Sequence, residues 1–325
     1  MMRKQKESFK LSILLVTYNH ELYIRQALEA LFGQEIEGPV QIVVADDDSS
    51  DGTLGIIREY DNKDSRFHFK YLDSVPNLGI TKNYQRGFAA CSGRYIAVLE
   101  GDDYWISPAK LQRQCKFLDA HWECNLCAVN YYIYEENKSH FYLRTHIERG
   151  HRLLTAREII FDNLPGNFSC CMYRKDAVEA LPPQVFDIKA YDWIINICVA
   201  RKSLIGFLDE PMSVYRLHSA GFWTKINHIE KLKEQLEVIS VYDALTEHVF
   251  HADFNVLASQ LRQEISVSSI KSIAKTRVRL RLGITDALLG YLPPLVITIF
   301  RAFMPPAIKR KIKCSLSAMM RGDAA

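Results

Sequence analysis

The fold of this chain is indicated most directly by the stretch Tyr95-Ile96-Ala97-Val98-Leu99-Glu100-Gly101-Asp102-Asp103-Tyr104-Trp105. Its first five residues form an apolar run, which is typical of a strand covered on both faces, and three acidic residues follow within four positions. Neighbouring carboxylates repel one another, and a buried core does not accept them unpaired. At the carboxyl end of a strand in an α/β sheet, the cluster predicts a divalent cation that holds phosphates. Taken alone, the stretch is also compatible with a solvated acidic turn that binds nothing.

Strand and helix patterns alternate through the first 120 residues. Apolar or alternating runs predict strands at 11–16, 40–45, 67–71 and 94–99. Segments with apolar residues at helical spacing lie between them, at 22–32, 54–60 and 80–91. This alternation with short links predicts an α/β fold with a doubly wound, mostly parallel sheet and flanking helices.

The ends of these strands carry polar and acidic side chains. Asn19 follows the first strand, the acidic cluster 46–51 follows the second, and residues 100–103 follow the fourth. Right-handed crossovers bring the carboxyl ends of parallel strands to one edge of the sheet. We therefore expect the three groups to converge on one ligand-binding crevice.

The pattern loosens after residue 120. Ser107 and Pro108 predict the start of a helix, with Ser107 as its N-cap, and Thr155 with Glu158 forms a capping box that predicts another. Short strands are predicted at 168–173, 204–208 and 212–217, and from about residue 224 the pattern is helical to the end. We predict one domain over 1–223, with a first half over about 10–120 and a second over 121–223, followed by a helical C-terminal region over 224–325.

Bulk composition is that of an ordinary globular chain. Of its 325 residues, 48% are hydrophobic and 24% are charged, and a net charge of +3 is too small to indicate a nucleic-acid partner. The eight cysteines are scattered through the chain, several of them in apolar runs, and no secretory signal is recognisable. We therefore expect a reducing, cytoplasmic setting.

Four motifs in a fixed order resemble the family 2 glycosyltransferases of the GT-A fold. They are Val16-Thr17-Tyr18-Asn19, the segment 43–53, Asn77-Leu78-Gly79 and the segment 100–105. The resemblance covers roughly residues 10 to 220, with two departures: Asp48 stands where the family usually has Gly, and Glu100 replaces the first Asp of the Asp-x-Asp-Asp pattern. It implies transfer of a sugar from a nucleotide diphosphate donor, expected to be a UDP-sugar, to an acceptor hydroxyl with inversion.

The resemblance also implies roles for individual residues. Those expected to bind the nucleotide are Thr17, Tyr18, Asn19, Asp46, Asp47, Lys82 and Asp102. Within this group, Tyr18 and Asp47 would line the nucleobase pocket, Asp102 would lie near the ribose and diphosphate, and Lys82 would contact the phosphates. Asp103 would bind the metal, manganese or magnesium.

The later part of the resemblance supplies the remaining candidates. Asp192 stands where the family keeps its general base, although an Asp at a helix start is also a common N-cap. His218 is a candidate metal ligand, or else a surface histidine. Trp105 and Trp223 are candidates for sugar or acceptor contacts, or else core aromatics.

The C-terminal region suggests where such an enzyme works. Basic runs at 271–281 and 309–313 bracket an apolar segment at 288–304 that Pro293, Pro294 and Arg301 interrupt. This pattern predicts peripheral contact with an anionic membrane surface, with a soluble helical cap as the alternative. The helical spacing at 229–251 and 254–273 predicts two packed amphipathic helices, which are compatible with a homodimer contact. The resemblance implies work at the cytoplasmic face of the inner membrane. The resemblance implies a glycan or lipid-linked glycan acceptor, in lipopolysaccharide O-antigen, capsule or other surface polysaccharide assembly.

Two other functions are compatible with a nucleotide-binding sheet. A nucleotidyltransferase would usually carry a Gly-rich phosphate loop near the first strand, and residues 16–19 contain no glycine. A non-catalytic nucleotide-sugar binder would need no base, which argues against it when Asp103 and Asp192 occur together. We therefore favour the glycosyltransferase.

Overall fold

A computed structural model describes residues 9–147, 150–188, 192–219, 221, 224 and 226–282, with side chains up to residue 269. The chain divides into two compact units, residues 1–261 and 262–325. The sheet and the candidate site belong to the first unit. Of the second unit, the structure describes the continuation of one helix.

Ten strands form one sheet. They are β1 (Leu11–Thr17), β2 (Val40–Asp46), β3 (Phe67–Tyr71), β4 (Tyr95–Glu100), β5 (Tyr104–Trp105), β6 (Cys124–Glu135), β7 (His140–Leu143), β8 (His151–Leu154), β9 (Cys171–Arg174) and β10 (Leu204–Leu217). The α-helices between and after them are α1 (Ile24–Phe32), α2 (Thr53–Arg58), α3 (Ile80–Ala90), α4 (Lys110–Ala120), α5 (Ala156–Phe161), α6 (Lys175–Glu179), α7 (Asp192–Val199), α8 (His228–Leu245) and α9 (His251–Leu282).

The strand order is β3-β2-β1-β4-β9-β6-β10-β5, with β7 beside β6 and β8 beside β10. The strands β3, β2, β1 and β4 are parallel to one another, as the sequence predicts, and β10 is parallel to β6. Strands β5, β7, β8 and β9 run antiparallel to their neighbours. The register sets Thr17 beside Asp46 and Val16 beside Glu100, so the polar ends of β1, β2 and β4 meet at one edge.

The core of the sheet explains the long apolar runs. All seven residues of β1 are buried, because helices cover both faces of a parallel sheet. Helix α1 buries Ile24, Ala27, Leu28 and Leu31, which share one face at the spacing of an α-helix.

Three predicted elements differ in detail from the structure. Helix α4 begins at Lys110 rather than Pro108, and its N-cap is Ala109 rather than Ser107, because the Ser107 carbonyl accepts the Lys110 N–H in a preceding turn. The strand predicted at 168–173 begins with a 3-10 turn, Phe168–Cys170. The two short strands predicted at 204–208 and 212–217 are one strand, β10, whose register shifts around Pro211 because proline lacks the N–H that the ladder needs.

The C-terminal helices begin with a second capping box, in which Asn227 and Glu230 bond each other's backbone N–H at the start of α8. Within the described residues, no helix combines the length and the apolar character that crossing a bilayer requires. The basic and apolar runs at 271–313 lie outside the residues whose side chains are described. The domain boundary at 223, the membrane contact and the homodimer stay predictions.

The central position of β1 predicts a clear difference between two leucines. Leu14 is fully buried in β1, whereas Leu22 is 86% exposed. We expect Leu14→Ala to lower the free energy of unfolding by about 2–5 kcal/mol, because it removes buried methyl groups and leaves a cavity. Leu22→Ala, the matched control, should change it by less than about 0.5 kcal/mol. Urea unfolding of both variants measures this, and equal effects would contradict the assignment of β1 to the core.

Candidate active site

The polar strand ends open into a cleft of about 670 Å³. The end of β4 supplies Glu100, and the loop after it supplies Asp102. The segment 166–168, β10 and the start of α7 line the cleft as well. Its polar and charged lining residues are Glu100, Asp102, Asn167, Asp192, Arg216, His218 and Thr224.

Asp102 is the carboxylate that faces two histidines. Its Oδ2 lies 3.0 Å from Nε2 of His218 and 3.7 Å from Nε2 of His20. Burial raises the pKa of Asp102, but the two imidazoles outweigh that effect, so the net pKa lies below its usual value. Both histidines bury an Nδ1 atom for which the described residues offer no hydrogen-bond partner.

Gly101 allows this arrangement. A Cβ added there would lie 2.8 Å from Nδ1 of His20 and 2.8 Å from Cγ2 of Thr17, closer than real Cβ contacts. Any larger residue at position 101 would therefore push His20 or β1 away from the acidic loop.

Asp103 is buried and is not among the residues that line the cleft. Its carboxylate accepts hydrogen bonds from Asn167 Nδ2 (2.9 Å), Ser169 Oγ (2.7 Å) and the backbone N–H of Arg216 (2.9 Å). Burial, followed by the charge of Asp102, raises the pKa of Asp103 to about 7. The resemblance implies that Asp103 binds the metal, and this role stays a prediction; in the structure Asp103 accepts from three donors, and the neighbouring Asp102 lines the cleft.

Glu100 completes the acidic group. It is held by the Tyr84 hydroxyl, which donates to Oε1 at 2.8 Å. Burial, together with the charges of Asp103 and Asp102, raises the pKa of Glu100 well above its usual range. A cation bound nearby would favour the ionised form of Glu100 and lower its pKa again.

Asp192 reaches the same cleft from the first residue of α7. Its Oδ2 accepts a hydrogen bond from Asn163 Nδ2 at 3.2 Å. Burial raises the pKa of Asp192 to about 6. A carboxylate with this pKa is ionised at neutral pH yet more basic than an exposed Asp.

Five of the seven residues predicted to bind the nucleotide lie at the ends of β1 and β2. Thr17 donates to Asp46 at 2.8 Å, and Asn19 Oδ1 accepts from the Ser50 N–H. Asp47 is buried, and its two oxygens accept the N–H groups of residues 78 and 79 at 2.9 and 3.0 Å. Tyr18 remains 48% exposed, as a residue that stacks on a ligand would be.

Three further candidates are placed as follows. Lys82, in the first turn of α3, forms an ion pair with Asp187. Trp105 is 3% exposed and donates its indole N–H to the Ser169 carbonyl at 2.8 Å, so its predicted contact with sugar or acceptor is replaced by a core role. Trp223 lies outside the described residues.

Two site residues escaped the sequence analysis. His20 directly follows Asn19, and its approach to Asp102 depends on the parallel pairing of β1 with β4. Arg216 is the other: its Nε donates to the Asp102 carbonyl at 2.9 Å, and its guanidinium lies 4.9 Å from the ring centre of Tyr23. The only sequence signal for Arg216 was its place two residues before His218.

Comparison with known proteins gives a family. Residues 12–181 match the family model described as glycosyl transferase family 2. A protein of Mycobacterium tuberculosis without a characterised function is 34% identical over 66% of this chain and 60% of its own length. The minor teichoic acid biosynthesis protein GgaB of Bacillus subtilis is 25% identical over 68% of this chain and 24% of its own length. The chain thus spans about 60% of the length of its mycobacterial relative.

Solved structures confirm the fold. The S. aureus TarS 1–349 structure in complex with UDP-GlcNAc superimposes with a TM-score of 0.59 at 18% identity, over 78% of this chain and 71% of that one. A mannosyltransferase of Pyrobaculum calidifontis, in complex with GDP-Man and Mn²⁺, gives a TM-score of 0.53 at 12% identity over 88% and 84%. The predicted GT-A architecture is therefore confirmed.

The enclosure of Asp103 predicts a structural role that a stability measurement can detect. Asp103→Ala removes the acceptor of three buried donors, each of which costs about 1–3 kcal/mol when left without a partner. We expect the free energy of unfolding to fall by about 3 kcal/mol or more. Asp73→Ala, at an exposed site, is the control and should change it by less than about 0.5 kcal/mol. Equally small effects in urea unfolding would show that Asp103 is not a structural anchor.

Proposed function

The chain belongs to glycosyl transferase family 2, and on that premise we propose that it transfers a sugar from a nucleotide diphosphate donor to an acceptor hydroxyl. The observation that carries this proposal is one cleft that holds the Asp102–His218 pair and, on another wall, Asp192 with its raised pKa. The Asp102–His218 pair suits the diphosphate side of the donor, and Asp192 suits the acceptor side. Family membership also argues against the nucleotidyltransferase alternative.

The donor that we propose is a UDP-sugar. Support comes from TarS, whose structure contains UDP-GlcNAc, although the mannosyltransferase contains GDP-Man. Two of the four lone-pair sites of the Asp47 carboxylate accept backbone N–H groups, and the remaining ones can accept the ring N–H of uracil. Tyr18, whose ring is exposed, follows Thr17, whose carbonyl accepts the Asp47 N–H at 2.9 Å, and its ring can stack on the base.

A divalent metal fits the residues present. Asp102 offers a carboxylate oxygen and His218 an imidazole nitrogen 3.0 Å away, and Glu100 lines the same cleft with a further carboxyl group. Imidazole with carboxylate suits Mn²⁺ better than Mg²⁺, and Mn²⁺ is the ion named with the mannosyltransferase. When bound, such an ion neutralises charge that develops on the leaving diphosphate. His20 presents a further imidazole toward the same Asp102 oxygen.

Asp192 is proposed as the general base. It takes the proton of the acceptor hydroxyl onto its carboxylate while the hydroxyl oxygen bonds to the anomeric carbon. The bond from that carbon to the diphosphate oxygen breaks with its electron pair on the leaving group. Attack from the face opposite the diphosphate inverts the anomeric configuration. Asn163 orients the carboxylate through its 3.2 Å hydrogen bond.

The acceptor that we propose is a glycan or lipid-linked glycan of a bacterial surface polysaccharide. The support is the resemblance to GgaB, which is named for minor teichoic acid biosynthesis. Work at the cytoplasmic face of the inner membrane is part of the same proposal.

The metal proposal predicts that donor binding depends on Asp102 and His218. UDP should bind more tightly with Mn²⁺ than with a chelator, and Asp102→Asn or His218→Gln should abolish most of that gain because each removes one ligand. His140→Gln, at an exposed histidine of β7, is the matched control. Isothermal titration calorimetry measures all four proteins. Equal UDP affinity with and without Mn²⁺ in the unaltered protein would refute the metal assignment.

The base proposal predicts a loss confined to catalysis. Asp192→Asn should lower kcat by about 10²–10⁴-fold, the usual contribution of a positioned base, and leave donor affinity nearly unchanged. Because Asp192 must be ionised, kcat of the unaltered protein should rise with pH through about 6. Asp176→Asn is the control, since Asp176 also lies in the first turn of a helix, α6. A variant at position 192 that keeps most of its turnover would exclude Asp192 as the base.

A further inference from the structure

A second group of possible metal ligands lies at the junction of α8 and α9. Asp243 belongs to the last turn of α8, His248 to the connecting turn, and His251 is the first residue of α9. Oδ2 of Asp243 accepts a hydrogen bond from Nδ1 of His248 at 2.8 Å and from Nδ1 of His251 at 2.7 Å. One ligand atom from each of the three residues therefore lies within 4.8 Å of the others.

The carboxylate of Asp243 is not satisfied by these two bonds. Asp243 is only 7% exposed, and its Oδ1 is buried with no hydrogen-bond partner among the described residues. A buried acceptor without a partner is destabilising, because it has lost its hydrogen bonds to water without replacing them. Two hydrogen-bonded histidines explain how the turn is held, but they do not explain this oxygen.

The surroundings of His251 point in the same direction. Its second ring nitrogen, Nε2, lies 2.9 Å from the amide of Asn255, one turn further along α9. Histidines that bind metals usually donate the other ring N–H to a neighbouring acceptor, which fixes the tautomer. The amide of Asn255 can present its oxygen to Nε2 after a half-turn about its last bond.

We propose that Asp243, His248 and His251 bind a divalent transition metal, foremost Zn²⁺, at a site separate from the active-site cleft. Two imidazoles and a carboxylate are ligands that zinc accepts, whereas Mg²⁺ and Ca²⁺ prefer oxygen. On binding, the ring proton of each neutral histidine moves from Nδ1 to Nε2, and the freed Nδ1 lone pair bonds the metal. The side chains of both histidines are about two-thirds exposed, so water completes the coordination.

Zinc here would brace the turn between two helices. Glu247, in that turn, pairs with Arg201 at 2.6 Å, and Asp253, in the first turn of α9, pairs with Arg157 at 3.2 Å. Arg157 lies in the first turn of α5, and Arg201 lies just after the end of α7. A metal that links the end of α8 to the start of α9 would hold these ion pairs in place, so its role is structural rather than catalytic.

Zinc titration of the full chain tests this site. Calorimetry with ZnCl₂ in excess Mg²⁺ should show one more bound zinc per chain in the unaltered protein than in His248→Gln or His251→Gln. Zinc should raise the Tm of the unaltered protein and raise it less in either variant. Both altered histidines are exposed, so the variants should fold, and His140→Gln is the control that keeps the site.

The comparison also separates this site from the active site. Zinc that enters the cleft binds equally to all four proteins and cancels from the difference in stoichiometry. The same number of bound zinc ions in the unaltered protein and in both variants would overturn the proposal, whatever the transfer activity. A loss of one zinc, or an affinity at least tenfold weaker, in both variants but not in the control would support it.

Discussion

The repulsion among three carboxylates at the end of β4 is the constraint on which the rest of this site depends. Glu100, Asp102 and Asp103 cannot all be buried and ionised without compensation. The protein gives each a different partner: the Tyr84 hydroxyl for Glu100, three donors for Asp103, and imidazoles for Asp102. As a result, one acid anchors the loop while its neighbour faces the cleft.

The different roles of Asp102 and Asp103 depend on the second half of the domain. The N–H of Arg216 that holds Asp103, and the ring of His218 that holds Asp102, both come from the end of β10 or just after it. Asn167 comes from the segment before β9. The first half therefore supplies the acids, with Tyr84 and His20 beside them, and the second half supplies the partners of Asp103 and the second histidine beside Asp102. The base candidate, Asp192, enters from the same half.

The sequence predicted what depends on local periodicity and missed what depends on distant side chains. The strands β1 to β4, their convergence at one edge and the capping box at Thr155 follow from patterns within a few residues. The different directions of Asp102 and Asp103 do not, because they depend on donors more than sixty positions away. Likewise, no residue near Trp105 in the sequence indicates that its indole N–H donates to the Ser169 carbonyl.

Locating the metal by diffraction tests the central claim most directly, namely that Asp102 and not Asp103 faces the ligand. Crystals grown with UDP and Mn²⁺, measured at a wavelength where manganese scatters anomalously, give its position without a mutation. The account predicts an anomalous peak within coordination distance of the Asp102 carboxylate and Nε2 of His218. A peak bonded to Asp103, with its contacts to Asn167 and Ser169 broken, would contradict it.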